Sequence, residues 1–406
     1  MTIVPTDALA KRLRLACGEN PALCYQCQRC SSGCPTAPAM TIAPAQMMRM
    51  AQLGLEQRLV GDASIWLCLG CDSCTQHCPH GVSVRRLVET LRQVTMQEHY
   101  LAGAEETFRA DHSLAKGIRA LVILGSRVQA YRNVSGEDNA SRLAWTSNLP
   151  QQAEGLDRLS GAGTVYFVGC VSAMFPMSYG IPQSFVGILR RAGLDFTTLG
   201  GEEWCCGYPL LMAGQLRQAR EMMAHNLAAV RAIGASRLVM TCPSCYHMWR
   251  HLYEQELGEP LGVQVLTASE LLLDLLAGGR LPLGEARRPG IVTYHDPCDL
   301  GRKGGHYEEP REVLRRVPGY TLVEMQSNRE HALCCGGGGD LETFAPDLTA
   351  RVAARRIAQA AEVRASVLVS ACPQCVRTLT KAARAQELRI RVMDLVQFVE
   401  ASLVAQ

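Results

Sequence analysis

Long apolar runs are missing from this sequence of 406 residues. The longest, such as "LVILG" from Leu121, fall far short of the roughly 20 residues that a membrane-spanning helix needs. The N-terminal stretch "MTIVPTDALAKRLRLACGEN" has no apolar core ahead of a small-residue cleavage site, so no export signal is expected. Together these absences predict a cytoplasmic chain, free or docked through a partner on the cytoplasmic face of a membrane. Basic runs interleaved with aromatics are also missing, so no nucleic-acid ligand is expected. No GxGxxG-type fingerprint follows a strand pattern, which leaves any flavin to a partner protein. What remains is 48% hydrophobic and 19% charged residues, the composition of an ordinary globular chain with two or three domains.

Cysteine departs from that ordinary composition, with 19 copies. A large unsecreted chain with so many thiols is expected to bind metal rather than to be cross-linked. The formal charge of +3 then misleads, because it counts every thiol as neutral. An oxidised cubane with four thiolates carries roughly −2, so two of them bring the loaded protein close to neutral.

The cysteines follow two spacing rules. "CYQCQRCSSGCP" presents Cys24, Cys27, Cys30 and Cys34, followed by Pro35. "CLGCDSCTQHCP" presents Cys68, Cys71, Cys74 and Cys78, followed by Pro79. Both match the two-cluster ferredoxin pattern, in which three closely spaced cysteines wrap one [4Fe-4S] cube and the fourth ligates the other. That rule predicts one cluster on Cys24, Cys27, Cys30 and Cys78, and a second on Cys68, Cys71, Cys74 and Cys34. Zinc sites need no third cysteine at the same interval, so a zinc-stabilised scaffold is the weaker reading; it predicts a colourless protein.

The second rule starts at Cys170, continues with the adjacent pair Cys205 and Cys206, and ends with Cys242 and Cys245. It returns as Cys298, the pair Cys334 and Cys335, then Cys372 and Cys375. The two sets lie about 130 positions apart, and "ASRLVMTCPSC" resembles "ASVLVSACPQC", so a unit larger than a solenoid repeat is duplicated. Adjacent cysteines suit neither an unstrained disulfide nor a single zinc ion. They can reach two neighbouring irons of one centre, and Gly207 and Gly336 behind each pair let the backbone come close. Five thiols per unit exceed the four that a cubane takes.

Each unit alternates strand and helix patterns. "GTVYFVGC" is an apolar run ending on its cysteine, and "GQLRQAREMMAHNLAAVRAIG" carries apolar residues at helical spacing before the strand "SRLVMTC". Such alternation implies a parallel sheet, with the cysteines just past the C-terminal strand ends where open α/β sheets bind ligands. The expected organisation is a mainly α-helical two-cluster ferredoxin domain over 1–132 and a polar linker over 133–162. A duplicated α/β pair with short parallel sheets follows, over 163–280 and 288–406.

On these motifs, the N-terminal part resembles the C subunit of heterodisulfide reductase, and residues from about Gly163 to Val396 resemble its B subunit with two CCG domains. The fusion in this order resembles the family's D subunit. The resemblance implies that each five-cysteine set, Cys170, Cys205, Cys206, Cys242 and Cys245, then Cys298, Cys334, Cys335, Cys372 and Cys375, holds a noncubane [4Fe-4S] cluster. It implies disulfide cleavage between the two clusters, with electrons from a redox partner: a flavoprotein, a ferredoxin or a membrane cytochrome b. Wider relatives, the iron–sulfur subunits of glycolate oxidase and anaerobic glycerol-3-phosphate dehydrogenase, supply the alternative of an electron conduit without disulfide chemistry. One departure is "HDPCDLGR", in which Asp299 stands where many relatives carry histidine.

No residue is assigned a catalytic role. His295 and His331 flank the second set and are expected to pack or cap rather than to relay protons. Trp66 and Trp204 are expected to wall water off a cluster. Cys17 fits neither rule and is expected to be a free thiol. His77 and His80 are expected at the surface, and the methionines of "QMMRM" in a small core.

Overall fold

The computed structural model describes residues 8–100, 112–149, 155–284 and 289–404. The chain divides into two compact units that alternate along the sequence. One comprises Met1–Gly125, Pro209–Leu216 and Leu333–Val352; the other comprises Ser126–Tyr208, Arg217–Ala332 and Ala353–Gln406.

The first unit is helical. Its central helix, Val84–Val94, starts at Ser83, whose hydroxyl accepts from the Arg86 N–H. Val84, Leu87, Val88 and Leu91 recur at three- and four-residue spacing and are buried together with Leu13, Ala51 and Trp66. Met47 and Met48 sit in this core and Met50 at its margin. Ala213 and Phe344 join the same core from the two short segments that return later in the sequence, and the Phe344 ring stacks on Trp66 at 6.2 Å.

The second unit carries both sheets, each of four parallel strands. β1 (Thr164–Phe167), β2 (Phe196–Thr198), β3 (Arg237–Met240) and β4 (Gln264–Thr267) stand in the order β2-β1-β3-β4. β5 (Gly290–His295), β6 (Tyr320–Leu322), β7 (Val367–Ser370) and β8 (Arg391–Asp394) repeat it as β6-β5-β7-β8. The chain runs outward from the first strand of each sheet, then crosses back to the other side. That reversal opens a crevice at the carboxyl ends of β1 and β3, and again at β5 and β7.

The two halves share one core. Tyr166 and Val239 of the first sheet are buried with Val292, Tyr294 and Val369 of the second. Helix Gly180–Arg191, after β1, packs on Leu395–Glu400, after β8; helix Ala268–Ala277, after β4, packs on Glu308–Arg315, after β5. Each half thus offers the other its equivalent helices.

The stretch expected as a linker includes a 3-10 helix, Asn139–Asn148, capped by Asp138. Its Trp145 is buried in the shared core beside Phe185 and Tyr166. Part of the expected linker, residues 150–154, lies outside the described residues.

Candidate iron–sulfur sites

The two N-terminal motifs fold into short turns of the helical unit. Cys34, Cys68, Cys71 and Cys74 line one cavity, walled by Met40, Met47, Leu69, Val84 and Val88. Cys34 thus crosses to the second motif. In the first motif Cys24 and Cys27 lie near Cys30, and the Tyr25 hydroxyl hydrogen-bonds Cys27 and lies near Cys78. The first site is the more open: Cys27 is exposed, whereas Cys71 is buried.

The sulfurs accept from the backbone, Cys68 from Gly70 N at 3.4 Å and Cys78 from Val82 N at 3.3 Å. Burial pushes the Cys68 thiol up to about 12 and Cys30 to about 11. Metal-free, these thiols stay neutral near pH 7; the apolar cavity favours thiolates only when cationic iron compensates them. Four converging sulfurs in such a cavity fit a four-iron cluster.

In the α/β unit, the first five-cysteine set sits at the crevice. Cys170 follows β1, Cys242 and Cys245 follow β3, and Cys205 and Cys206 lie on the loop after β2. All five are buried. Their thiols form one hydrogen-bonded chain: Cys170 to Cys205, Cys205 to Cys206, and Cys245 to both Cys206 and Cys242. Cys206 receives two of these bonds, the larger effect coming from Cys205, and its thiol falls to about 6. Glycine makes this approach possible: a Cβ at Gly169 would stand 3.1 Å from the Cys245 sulfur, and one at Gly207, where φ is +92°, would stand 3.2 Å from Ala219 O. The five sulfurs are thus linked, neighbour to neighbour, in one buried group.

In the second set, Cys298 follows β5, and Cys372 and Cys375 follow β7, the positions of Cys170, Cys242 and Cys245 one half earlier. The Cys375 N–H donates to the Cys372 sulfur at 3.4 Å. Cys334 and Cys335 belong to the segment Leu333–Val352 of the helical unit, where Gly336 N and Gly337 N approach their sulfurs at 3.5 and 3.4 Å. The glycine run behind them has a steric cause. A Cβ at Gly336 would meet Thr349 O at 2.8 Å, one at Gly338 Leu69 O at 3.0 Å, and one at Gly339 Cys68 O at 2.5 Å.

Charged groups around the cysteines were not evident from spacing. Arg142 on the 3-10 helix donates to the Cys170 sulfur at 3.1 Å and pairs with Glu203 at 2.6 Å. Glu203 in turn accepts from Val168 N and Gly169 N, which fixes the turn carrying Cys170. Asp299 is buried; its carboxylate takes a bond from Ser244, between Cys242 and Cys245, and pairs with Lys303 at 2.7 Å. Burial would raise that carboxyl, but the Lys303 and His247 charges outweigh it and hold the pKa below the usual value. Lys303 also reaches the Tyr208 hydroxyl at 3.4 Å, so one network ties the Cys206, Cys242 and Cys298 loops. Arg92 is buried in the helical unit and donates to the Cys68 carbonyl. Its sequence sign is a basic residue four positions after Val88, on the apolar face of its helix.

His295 is buried and accepts at Nδ1 from Arg356 Nε at 2.9 Å, while the His331 side chain is 60% exposed. Trp66 is buried; Trp204 is half-buried, stacked on His225 at 3.6 Å. Cys17 is half-buried and donates to Leu13 O at 3.2 Å. His80 is exposed, and the His77 ring fills the space beside Gly33.

Residues 22–82 match the 4Fe-4S dicluster domain family, and residues 164–250 and 292–380 each match the CCG cysteine-rich domain family. With this fold, they define an iron–sulfur electron-transfer oxidoreductase. The chain is 31% identical to the D subunit of the dihydromethanophenazine:CoB–CoM heterodisulfide reductase of Methanosarcina acetivorans, over 94% of this chain and 93% of that one. It therefore belongs to the family of heterodisulfide reductase D subunits. The Methanosarcina barkeri counterpart is 29% identical with the same coverage. An EtfAB:quinone oxidoreductase of Syntrophomonas wolfei is 26% identical over 87% of this chain and 49% of that one. No helix among the described residues is long and apolar enough to cross a membrane.

Proposed function

We propose that this chain reduces a disulfide, or a related sulfur compound, to thiols with electrons from a redox partner, a flavoprotein, a ferredoxin or a membrane cytochrome b. Two cubanes would be held by Cys24, Cys27, Cys30 and Cys78, and by Cys68, Cys71, Cys74 and Cys34. Two noncubane four-iron clusters would be held by Cys170, Cys205, Cys206, Cys242 and Cys245, and by Cys298, Cys334, Cys335, Cys372 and Cys375. When bound, these clusters supply one-electron carriers, and the balance is RSSR′ + 2 e⁻ + 2 H⁺ → RSH + R′SH. The reading is carried by the first five-cysteine set, whose thiols converge in one buried group at a sheet crevice.

The protein's own groups hold and screen that site. Arg142 and Glu203 fix the turn of Cys170, and the Ser244, Asp299 and Lys303 network fixes the turns of Cys242 and Cys298. Apolar side chains wall the cavity of Cys34, Cys68, Cys71 and Cys74 and keep water from it. The Methanosarcina relatives are named for a heterodisulfide, so the substrate class taken for this chain is a mixed disulfide of two small thiols.

The anaerobically purified protein is expected to be brown, with on the order of 8–16 irons. Given reduced viologen dye and candidate disulfides, it should release two thiols per disulfide with no flavoprotein present. A colourless protein refutes the cluster assignment. A brown protein that releases no thiol, and is reduced only through a flavin partner, refutes the reductase reading in favour of a conduit.

A further inference from the structure

Arg92 is 2% exposed, on the core face of the helix Val84–Val94. Its Nε donates to Ile65 O at 2.9 Å, its Nη1 to Met212 O at 2.9 Å and Gly339 O at 3.3 Å, and its Nη2 to Cys68 O at 2.7 Å. The guanidinium stands over the Trp66 ring, 5.4 Å from its centre. All four acceptors are main-chain carbonyls, and among the described residues Arg92 forms no ion pair with a carboxylate. Its charge acts on Asp340, opposing the burial that raises that carboxyl. Its hydrogen-bond partners are all uncharged, so the buried guanidinium is stabilised by whatever anionic charge its surroundings hold.

Besides Asp340, the anion that the sequence offers is the Cys68 site. Arg92 binds the carbonyl of a cysteine whose sulfur lines the cavity with Cys34, Cys71 and Cys74, and four thiolates around a cubane leave net negative charge there. The other two long-range acceptors, Met212 and Gly339, stand six residues after Cys206 and four after Cys335. Resting on the cluster assignment above, we propose that Arg92 is the counter-ion of the cluster held by Cys34, Cys68, Cys71 and Cys74. Through its fork it also clamps the segments after both cysteine pairs onto that cluster's backbone. It is a positioning and potential-setting residue, not a ligand.

The test is an anaerobic, EPR-monitored redox titration of the full chain with iron analysis. Arg92→Gln is expected to keep its iron and to lower the midpoint of the Cys68 cluster. The reduced-to-oxidised ratio at a fixed potential should fall about tenfold, the scale of outer-shell effects, while the Cys24 cluster stays put. Arg92→Lys keeps the charge and should keep the midpoint, but its cruder fork should slow electron delivery to disulfide. A fully loaded Gln variant with both midpoints unmoved overturns the inference. If the Gln variant loses iron, the Lys variant decides: a kept midpoint supports the counter-ion role, and lost iron or a lowered midpoint overturns it. Wild-type protein without iron would instead refute the cluster assignment on which this inference rests.

Discussion

Asp340 shows how a single buried carboxyl writes itself into stability. It follows the glycine run in the left-handed region, at φ +56°, and its Oδ2 is buried with no hydrogen-bond partner. Burial raises its pKa to about 7, against the opposing charge of Arg92. In the unfolded chain the group titrates near 3.9, so between about pH 4 and pH 7 the folded state holds the extra proton. This contribution is fully present below about pH 4 and is lost as pH rises through about 7. Asparagine tolerates the same backbone and carries no charge. Asp340→Asn should therefore gain on the order of 4 kcal/mol over wild type at pH 8, about half of that at pH 5.5 and nothing below about pH 4. Denaturant midpoints of the loaded protein at pH 5.5 and pH 8 check this; equal differences at both would refute it. At this scale the grouping of the cysteines was legible because their spacing is local. Arg92 was not, since its partners Met212 and Gly339 lie 120 and 247 positions away. Arg142 and Lys303 escaped for the same reason, their roles being set by turns brought together only in the fold.

Among the elements, strand and helix alternation was plain in the sequence, and so was the place of the cysteines past the strand ends. The order β2-β1-β3-β4 was not, because periodicity says which residues are buried but not which strands become neighbours. The 3-10 helix Asn139–Asn148 was read as linker for a geometric reason. With three residues per turn, only Arg142 and Trp145 share its buried face, too few to show a helical period. Arg142 nonetheless holds the turn of Cys170 in the first five-cysteine set. Arg142→Gln leaves Glu203 buried and unpaired beside Cys170, and should cost about 3–5 kcal/mol and part of the iron. The double variant with Glu203→Gln removes the orphaned charge and should recover much of that loss. A denaturation cycle of the four proteins measures the coupling, and additive losses would refute it.

For the whole molecule, duplication was legible but independence of the parts was not. The sequence suggests a ferredoxin-like domain complete at residue 132. The helical unit, however, also draws on Pro209–Leu216 and Leu333–Val352, which bring Ala213 and Phe344 into its core and two carbonyls to Arg92. Both segments come just after or contain an adjacent cysteine pair, so chain connectivity couples the ferredoxin-like core to both five-cysteine sets. A fragment of residues 1–132 thus lacks part of its own core and two of the four acceptors of a buried guanidinium. It should lose its clusters faster than the full chain, and the Cys68 cluster before the Cys24 cluster, because Arg92 serves the former. Iron release to a chelator, followed by EPR under anaerobic conditions, distinguishes the two. Equal retention by fragment and full chain would mean that the ferredoxin motifs suffice alone and that the returning segments only cover a finished core.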